Sequence, residues 1–164
     1  MNRATALAVV LASTACADDD AEEVADVAEE HDIDLAQAIL QAEEQAGGVA
    51  IEAEVDDRRD FGPIYEVDVV VGDLVHEVIL DIDTLAVLRQ TTESADDDDL
   101  ADAGLAATAD WVNLVTEAER AANGVAFAME VDADDGTIDF DVLVDRDTVR
   151  EVVLRPDGTL VSAD

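Results

Sequence analysis

The chain reads as an α+β protein of two tandem units, each a helix followed by a three-stranded antiparallel meander. Three observations predict it. First, segments recur in order at one constant offset. Ala42-Glu43 through Gly48-Val49-Ala50 answers Ala118-Glu119 through Gly124-Val125-Ala126, and Glu54-Val55-Asp56 answers Glu130-Val131-Asp132. Second, each copy opens with apolar residues at helical spacing: Leu35, Ile39, Ala42 and Ala46, then Trp111, Val115, Ala118 and Ala122. Third, the residues after each helix alternate apolar and polar, as strands with one wet face do.

Asp34 and Asp110 stand at N-cap positions, where a carboxylate accepts from the open amides of a first helical turn. Gln37, three residues on from Asp34, fits a capping box. Gly47-Gly48 and Asn123-Gly124 are stop signals, because Gly and Asn tolerate the left-handed conformation that ends helices. Strict alternation sets Val49, Ile51, Ala53 and Val55 inward in the first strand, and Val125, Phe127, Met129 and Val131 in its twin. The second strands set Tyr65, Val67, Val69 and Val71, or Ile138, Phe140, Val142 and Val144, inward. The third run from about Val75 to Ile82 and from Val149 to Leu154. Short turns at Gly72-Asp73 and Asp145-Arg146-Asp147 make them antiparallel hairpins with the second strands. A short stretch, Val87-Leu88 or Leu160-Val161, closes each copy. The helix then lies across one sheet face.

Residues 1–17 read as a secretory signal. Met1-Asn2-Arg3 is a short positive start, Ala4 to Ala12 is an apolar run too short to span a bilayer, and Ser13-Thr14-Ala15 supplies small residues. Cleavage falls before Cys16 or after Ala17. Cys16 is the sole cysteine, so no intramolecular disulfide forms. The residues before it match a bacterial lipobox only in part, with Ser13 where Leu is favoured. A lipid anchor at Cys16 and simple secretion both fit, and both place the chain outside the cytoplasm, in periplasm, envelope or medium. Residues 18–31 are an acidic spacer or a short helix with Val24, Val27 and Ala28 on one side. The first unit spans 32–90 and the second 109–164. Between them, 91–108 read as a solvated acidic linker, since Asp96 to Asp99 repel one another.

The chain carries 43 Asp and Glu against 8 basic residues, all Arg, for a formal net charge of −35. Such a surface repels phosphate backbones and offers anionic membranes no basic patch. Nucleic acid is excluded as a partner, and membrane contact is expected only through Cys16. The acidity reads either as a solvated coat suited to saline surroundings or as a means of binding cations.

No catalytic, cofactor or metal site emerges. His31 and His76 lie in different segments, and zinc wants about four ligands, usually Cys or His. Ser13, Ser94 and Ser162 fall in the signal, the linker and the tail, none on a strand-to-helix elbow. Asp132-Ala133-Asp134-Asp135-Gly136 is oxygen-rich. With Gly136 in the sixth place of a calcium loop, the first and third places fall on Val131 and Ala133, which lack side-chain oxygen. An Asp-Gly hairpin turn accounts for it. The Asp96 to Asp99 run offers unspecific cation binding at most. Val70, Val75 and Ile79, repeated as Leu143, Val149 and Val153, are apolar on the face away from the helix. Either other parts of the chain cover these strips, or they bind a partner, with strand addition at a sheet edge as one mode.

The third strand and closing stretch of the first copy run Glu77-Val78-Ile79-Leu80-Asp81-Ile82-Asp83-Thr84-Leu85-Ala86-Val87-Leu88. With the preceding helix and strands, this resembles the PepSY domain family, whose units are often in tandem and end in a segment like E-V-x-x-D-x-x-T-G-x-V-L. Leu85 stands where that family usually has Gly. The second copy runs Glu151-Val152-Val153-Leu154-Arg155-Pro156-Asp157-Gly158-Thr159-Leu160-Val161, departing at Arg155. The resemblance spans roughly 32–88 and 109–164. It implies a non-catalytic domain similar to the propeptides of thermolysin-type secreted proteases, with a secreted or envelope peptidase as partner. The expectation is a non-catalytic extracytoplasmic binding or regulatory protein that restrains a peptidase. The alternative is an acidic envelope protein with a structural or weak cation-binding role.

Overall fold

The computed structural model describes residues 17–164, with side chains from Glu23 onward. The signal segment up to Cys16, with the lipidation candidate, lies outside the described residues. The elements are α1 (Ala17–Glu30), α2 (Leu35–Ala46), β1 (Val49–Arg58), β2 (Gly62–Val71), β3 (Leu74–Asp81) and β4 (Val87–Ser94), followed by α3 (Asp97–Ala106), α4 (Trp111–Ala122), β5 (Val125–Asp132), β6 (Thr137–Asp145), β7 (Thr148–Leu154) and β8 (Leu160–Ala163). The strands form one eight-stranded sheet in the order β4-β3-β2-β1-β5-β6-β7-β8. Every neighbouring pair is antiparallel. The closing stretches of each copy are thus strands in their own right, β4 and β8, so each half brings four strands where three were expected.

The halves are not two separate domains. β1 and β5 pair edge to edge, Glu52 with Glu130, Ala53 with Met129 and Glu54 with Ala128. On one face, α2 and α4 lie side by side and pack on the strands of both halves. Leu35, Ile39, Leu114 and Ala118 share one continuous core with Tyr65, Val67, Met129, Phe140 and Val152. The Trp111 indole N–H donates to Glu43 at 3.0 Å, tying α4 to α2.

Local chemistry sets the ends of these two helices. The Asp34 carboxylate accepts from the Gln37 amide at 3.1 Å, and that of Asp110 from the Asn113 amide at 3.2 Å. Gly47 and Asn123 end the helices with φ of 81° and 59°, and their N–H groups donate to the carbonyls of Glu43 and Glu119. Gly48 and Gly124 are needed for a different reason. A Cβ at either would stand 2.2 Å from the carbonyl oxygen of Val70 or Leu143.

The first strands depart from strict alternation. β1 bulges between Ala50 and Glu52, and β5 between Ala126 and Ala128. One extra residue swings the chain before it to the opposite face. Ala50 therefore joins the main core with Val69, while Ile51, expected inward, clusters with Val70 and Val75. Beside each bulge a helix glutamate receives the strand amide. Glu43 accepts from Ala50 at 3.0 Å and Glu119 from Ala126 at 3.3 Å.

The supposed linker is a second structural layer. β4 runs on to Ser94, and Asp97–Ala106 form α3. The aspartates that seemed only to repel are the start of that helix. Asp96 and Asp99 make a reciprocal capping box, and Asp97 and Asp98 sit in the first turn, where open amides and the helix dipole favour negative charge. The offset that relates the two copies carries α3 onto residues 21–30 of α1. Both helices lie on the sheet face opposite α2 and α4, and each covers the other half. α3 follows the first half yet precedes α4; its Ala103 packs with Ile51, Val70 and Val75. α1 precedes the first half but reaches β6 and β7, with Val24 and Val27 near Phe127 and Val149. Arg146 in the β6–β7 turn pairs with Asp26 and Glu29 of α1.

Two glycine substitutions test this packing. Gly48→Ala should lower unfolding free energy by about 1–3 kcal/mol, because the carbonyl it meets belongs to a paired strand. Gly104→Ala, on α3 with open space around it, should raise it by roughly 0.5–1 kcal/mol. Chemical denaturation of both variants against the parent reads the two signs.

Candidate functional site

The apolar strips do not form an open docking surface. Val70, Val75 and Leu143 are buried, Ile79 is wholly so, and Val149 and Val153 are half-buried. α3 covers Val70 and Val75 of the first strip, and α1 packs on the strands of the second. The physical reason is the exchange of helices just described, which alternation along single strands does not reveal.

Between α1 and α3 the same face is acidic. Strand register sets Glu77 opposite Asp68, Asp68 opposite Glu52, Glu52 opposite Glu130 and Glu130 opposite Asp139. Five carboxylates thus stand in one row across β3, β2, β1, β5 and β6. A second row holds Glu66 opposite Glu54, and Asp141 opposite Glu151. Directly opposed like charges destabilise a sheet. Some compensation lies at the β1–β3 end. Arg58 bridges Asp56 and Glu66, and Arg89 donates to Glu77 at 2.6 Å while its guanidinium lies 5.9 Å from the centre of the Phe61 ring.

Burial dominates the titration of these rows. It pushes Asp68 up from 3.8 to about 6, with Glu52, Glu66, Glu77 and Glu93 adding to the shift. It also raises Glu52, where Glu130 is the next cause, and Glu130, where Asp139 is. Glu66 is raised by burial and drawn back by Arg58. Burial raises Asp139 as well, opposed by a hydrogen bond from Thr137. In the exposed turns, hydrogen bonds from Thr84 and Thr159 hold Asp81 and Asp157 low.

Two concavities follow the rows. One, of about 380 Å³, lies against α1 and is lined by Glu23, Val24, Val27, Phe127, Asp141 and Val149 among others. The next, of about 270 Å³, straddles the β1–β5 seam between Glu52, Glu54, Glu130 and Glu151. Glu54, Asp56 and Glu66 bring oxygens within 4.8 Å of one another, a spacing that could hold a metal ion, though Arg58 already neutralises two of the three. Of the residues weighed for catalysis or metal binding, Ser13 lies outside the described residues, and the two histidines sit apart from the serines. His31 bonds Asp83 at 2.8 Å and His76 bonds Gln90 at 2.7 Å. Ser94 and Ser162 sit on β4 and β8, the two outermost strands. Sequence alone supplies the acids of each strand. Only the register lines them up.

The arrangement defines a three-layer protein, helix pair on sheet on helix pair, whose open surface is acidic. Residues 32–91 match the family described as peptidase propeptide and YPEB domain, PepSY. That stretch comprises α2 with β1 to β4, where the sequence motif led one to expect the match. A solved structure described as a "putative lipoprotein" from Clostridium difficile 630 shares the fold. It matches with a TM-score of 0.54 at 17% identity, over 80% of this chain and 92% of that one. The overlap extends well past the PepSY stretch, so the likeness in fold includes part of the second half. A comparison with curated proteins gave no match. Among the described residues, no helix is long and apolar enough to cross a membrane.

The raised carboxylates give a signed prediction. Asp68 binds its proton more tightly in the fold than in the unfolded chain. The stabilisation this brings is full below pH 3.8 and is lost as pH rises through about 6. The thermal midpoint should therefore drop between about pH 4 and about pH 7. Asp68→Asn should raise the midpoint at neutral pH and shrink the drop. A parent and a variant with the same pH profile would refute the assignment.

Proposed function

We propose that this chain is a non-catalytic extracytoplasmic protein that binds and restrains a peptidase, with its second half acting as a second PepSY-like unit. The PepSY domain at residues 32–91 carries this reading, since it is the domain of peptidase propeptides. Three further features support it. The second half repeats the first in element order, from α4 through β8. The N-terminal residues have the make-up of an export signal, with Cys16 placed for a lipid anchor. The net charge of −35 would steer an oppositely charged partner toward the chain.

The test is enzymatic. The processed chain, added to each secreted or envelope peptidase of the cell that makes it, should slow casein hydrolysis by one of them. Inhibition should reach its limit near one equivalent, with the two proteins eluting together. Unchanged rates for every such peptidase at several-fold molar excess would end the reading.

A second reading has one observation in its favour, the opposed carboxylate rows with the Glu54, Asp56 and Glu66 cluster. It makes the chain an acidic envelope protein that takes up cations weakly. Calorimetry with calcium should then show heat and a higher thermal midpoint, while no peptidase responds.

A further inference from the structure

We propose that β4 is a self-complementary edge and that it pairs with β4 of a second copy, joining two chains into one sixteen-stranded sheet about a two-fold axis. The inference does not depend on the peptidase reading.

β4 is the outer strand at one end of the sheet, and among the described residues β3 is its one hydrogen-bonded neighbour. All eight of its residues, Val87 to Ser94, are exposed. Its outer N–H and C=O groups therefore form an open ladder roughly 26 Å long. Natural edges of this length are commonly guarded by several charges, by proline or by a covering helix. This one carries Arg89 and Glu93 and is otherwise Val, Leu, Gln, Thr and Ser. The opposite edge, β8, is four residues long and uncharged.

The order of those two charges names the occupant. Arg89 and Glu93 lie symmetrically about Thr91. They share a face of the sheet, because Arg89 pairs with Ile79 and Glu93 with Val75, both of β3. Antiparallel pairing of β4 with itself, centred on Thr91, sets Arg89 opposite Glu93 of the second copy, and Glu93 opposite that copy's Arg89. Thr91 meets Thr91, and Gln90 meets Thr92 twice. Opposed charges and threonine pairs are both favourable across strands. An isologous contact of this kind closes on itself, so it yields a dimer and consumes the longer edge. A chain of net charge −35 resists association at long range, but at about 0.15 M salt exposed charges more than ~8 Å apart are largely screened. What remains at the seam is two Arg89–Glu93 pairs, with each Arg89 also held to Glu77 of its own chain.

Sedimentation equilibrium of the chain across a concentration series should show a monomer–dimer equilibrium. Glu93→Arg sets like charges opposite each other at both ends and should raise the dissociation constant on the order of tenfold or more. The double variant Arg89→Glu with Glu93→Arg restores opposite charges and should recover most of the loss. Circular dichroism and the thermal midpoint check that the variants fold. A second measurement stands apart from charge. In a Cys16→Ser background, Thr91→Cys lies on the dyad and should form an intermolecular disulfide under mild oxidation, whereas Ser162→Cys on β8 should not. A monomer at every concentration, a dimer indifferent to Glu93→Arg, or equal cross-linking at positions 91 and 162 would overturn the proposal.

Discussion

Everything in this fold depends on a short seam. β1 and β5 meet over three residue pairs, and one of them sets Glu52 against Glu130. So brief a ladder, with like charges in it, cannot hold two half-sheets in line by itself. The clamp comes from above and below. On one face α2 and α4 pack together across the seam, joined by the bond from Trp111 to Glu43. That same Glu43 oxygen also receives the Ala50 amide beside the β1 bulge. One carboxylate thus fixes a strand irregularity and the contact between halves. Its twin Glu119 receives only the strand amide from Ala126 among the bonds seen at its carboxylate. The repeat therefore supplies the local device twice and the linking role once.

The second constraint is charge. Two carboxylates about 5 Å apart repel by about 0.8 kcal/mol in a water-like medium and about 3 kcal/mol at an effective dielectric near 20. The longer row has four such contacts in succession. Their sum is a sizeable part of the ~5–15 kcal/mol by which a domain is usually stable. The rows are tolerable because the face between α1 and α3 stays open to solvent and salt, because Arg58 and Arg89 neutralise one end, and because burial lets Asp68 hold a proton up to about pH 6. The apolar residues of the same face are grouped at the places the two outer helices reach. Acid and apolar surface are sorted by what lies above them.

Much of this was legible in the sequence, and the reasons are local. Capping and stop residues act within a few positions of themselves, so Asp34, Asp110, Gly47 and Asn123 announced α2 and α4. Period-two alternation marked the strands, and the family motif located the PepSY stretch. Leu85 is informative in both directions. It replaces the family's usual glycine, yet the backbone keeps the left-handed demand, with φ of 55° there and 82° at Gly158, which stands in the matching place before β8. What stayed hidden was non-local or ambiguous. A bulge costs one residue of register and leaves no compositional trace, so strict alternation puts Ile51 and Ala50 on the wrong faces. Asp96 to Asp99 carried two messages, repulsion and a capping box, and only the second survives in the fold. The carboxylate rows needed five strands in register before they existed at all.

The exchange of outer helices explains why the two halves cannot be understood one at a time. A PepSY stretch of residues 32–91 contains neither α1 nor α3. Alone it would leave Ile51, Val70 and Val75 bare on one face, while its α2 would lack α4 on the other. Each half completes the other's apolar surface with a helix that precedes its own core helix in sequence. The exchange of helices thus turns a strip that one half would leave exposed into an internal contact between the two. Once those strips are spent on mutual cover, the open face of the sheet between α1 and α3 offers a partner chiefly carboxylates, whereas the backbone of the edge strands β4 and β8 lies outside those rows and offers hydrogen bonds instead.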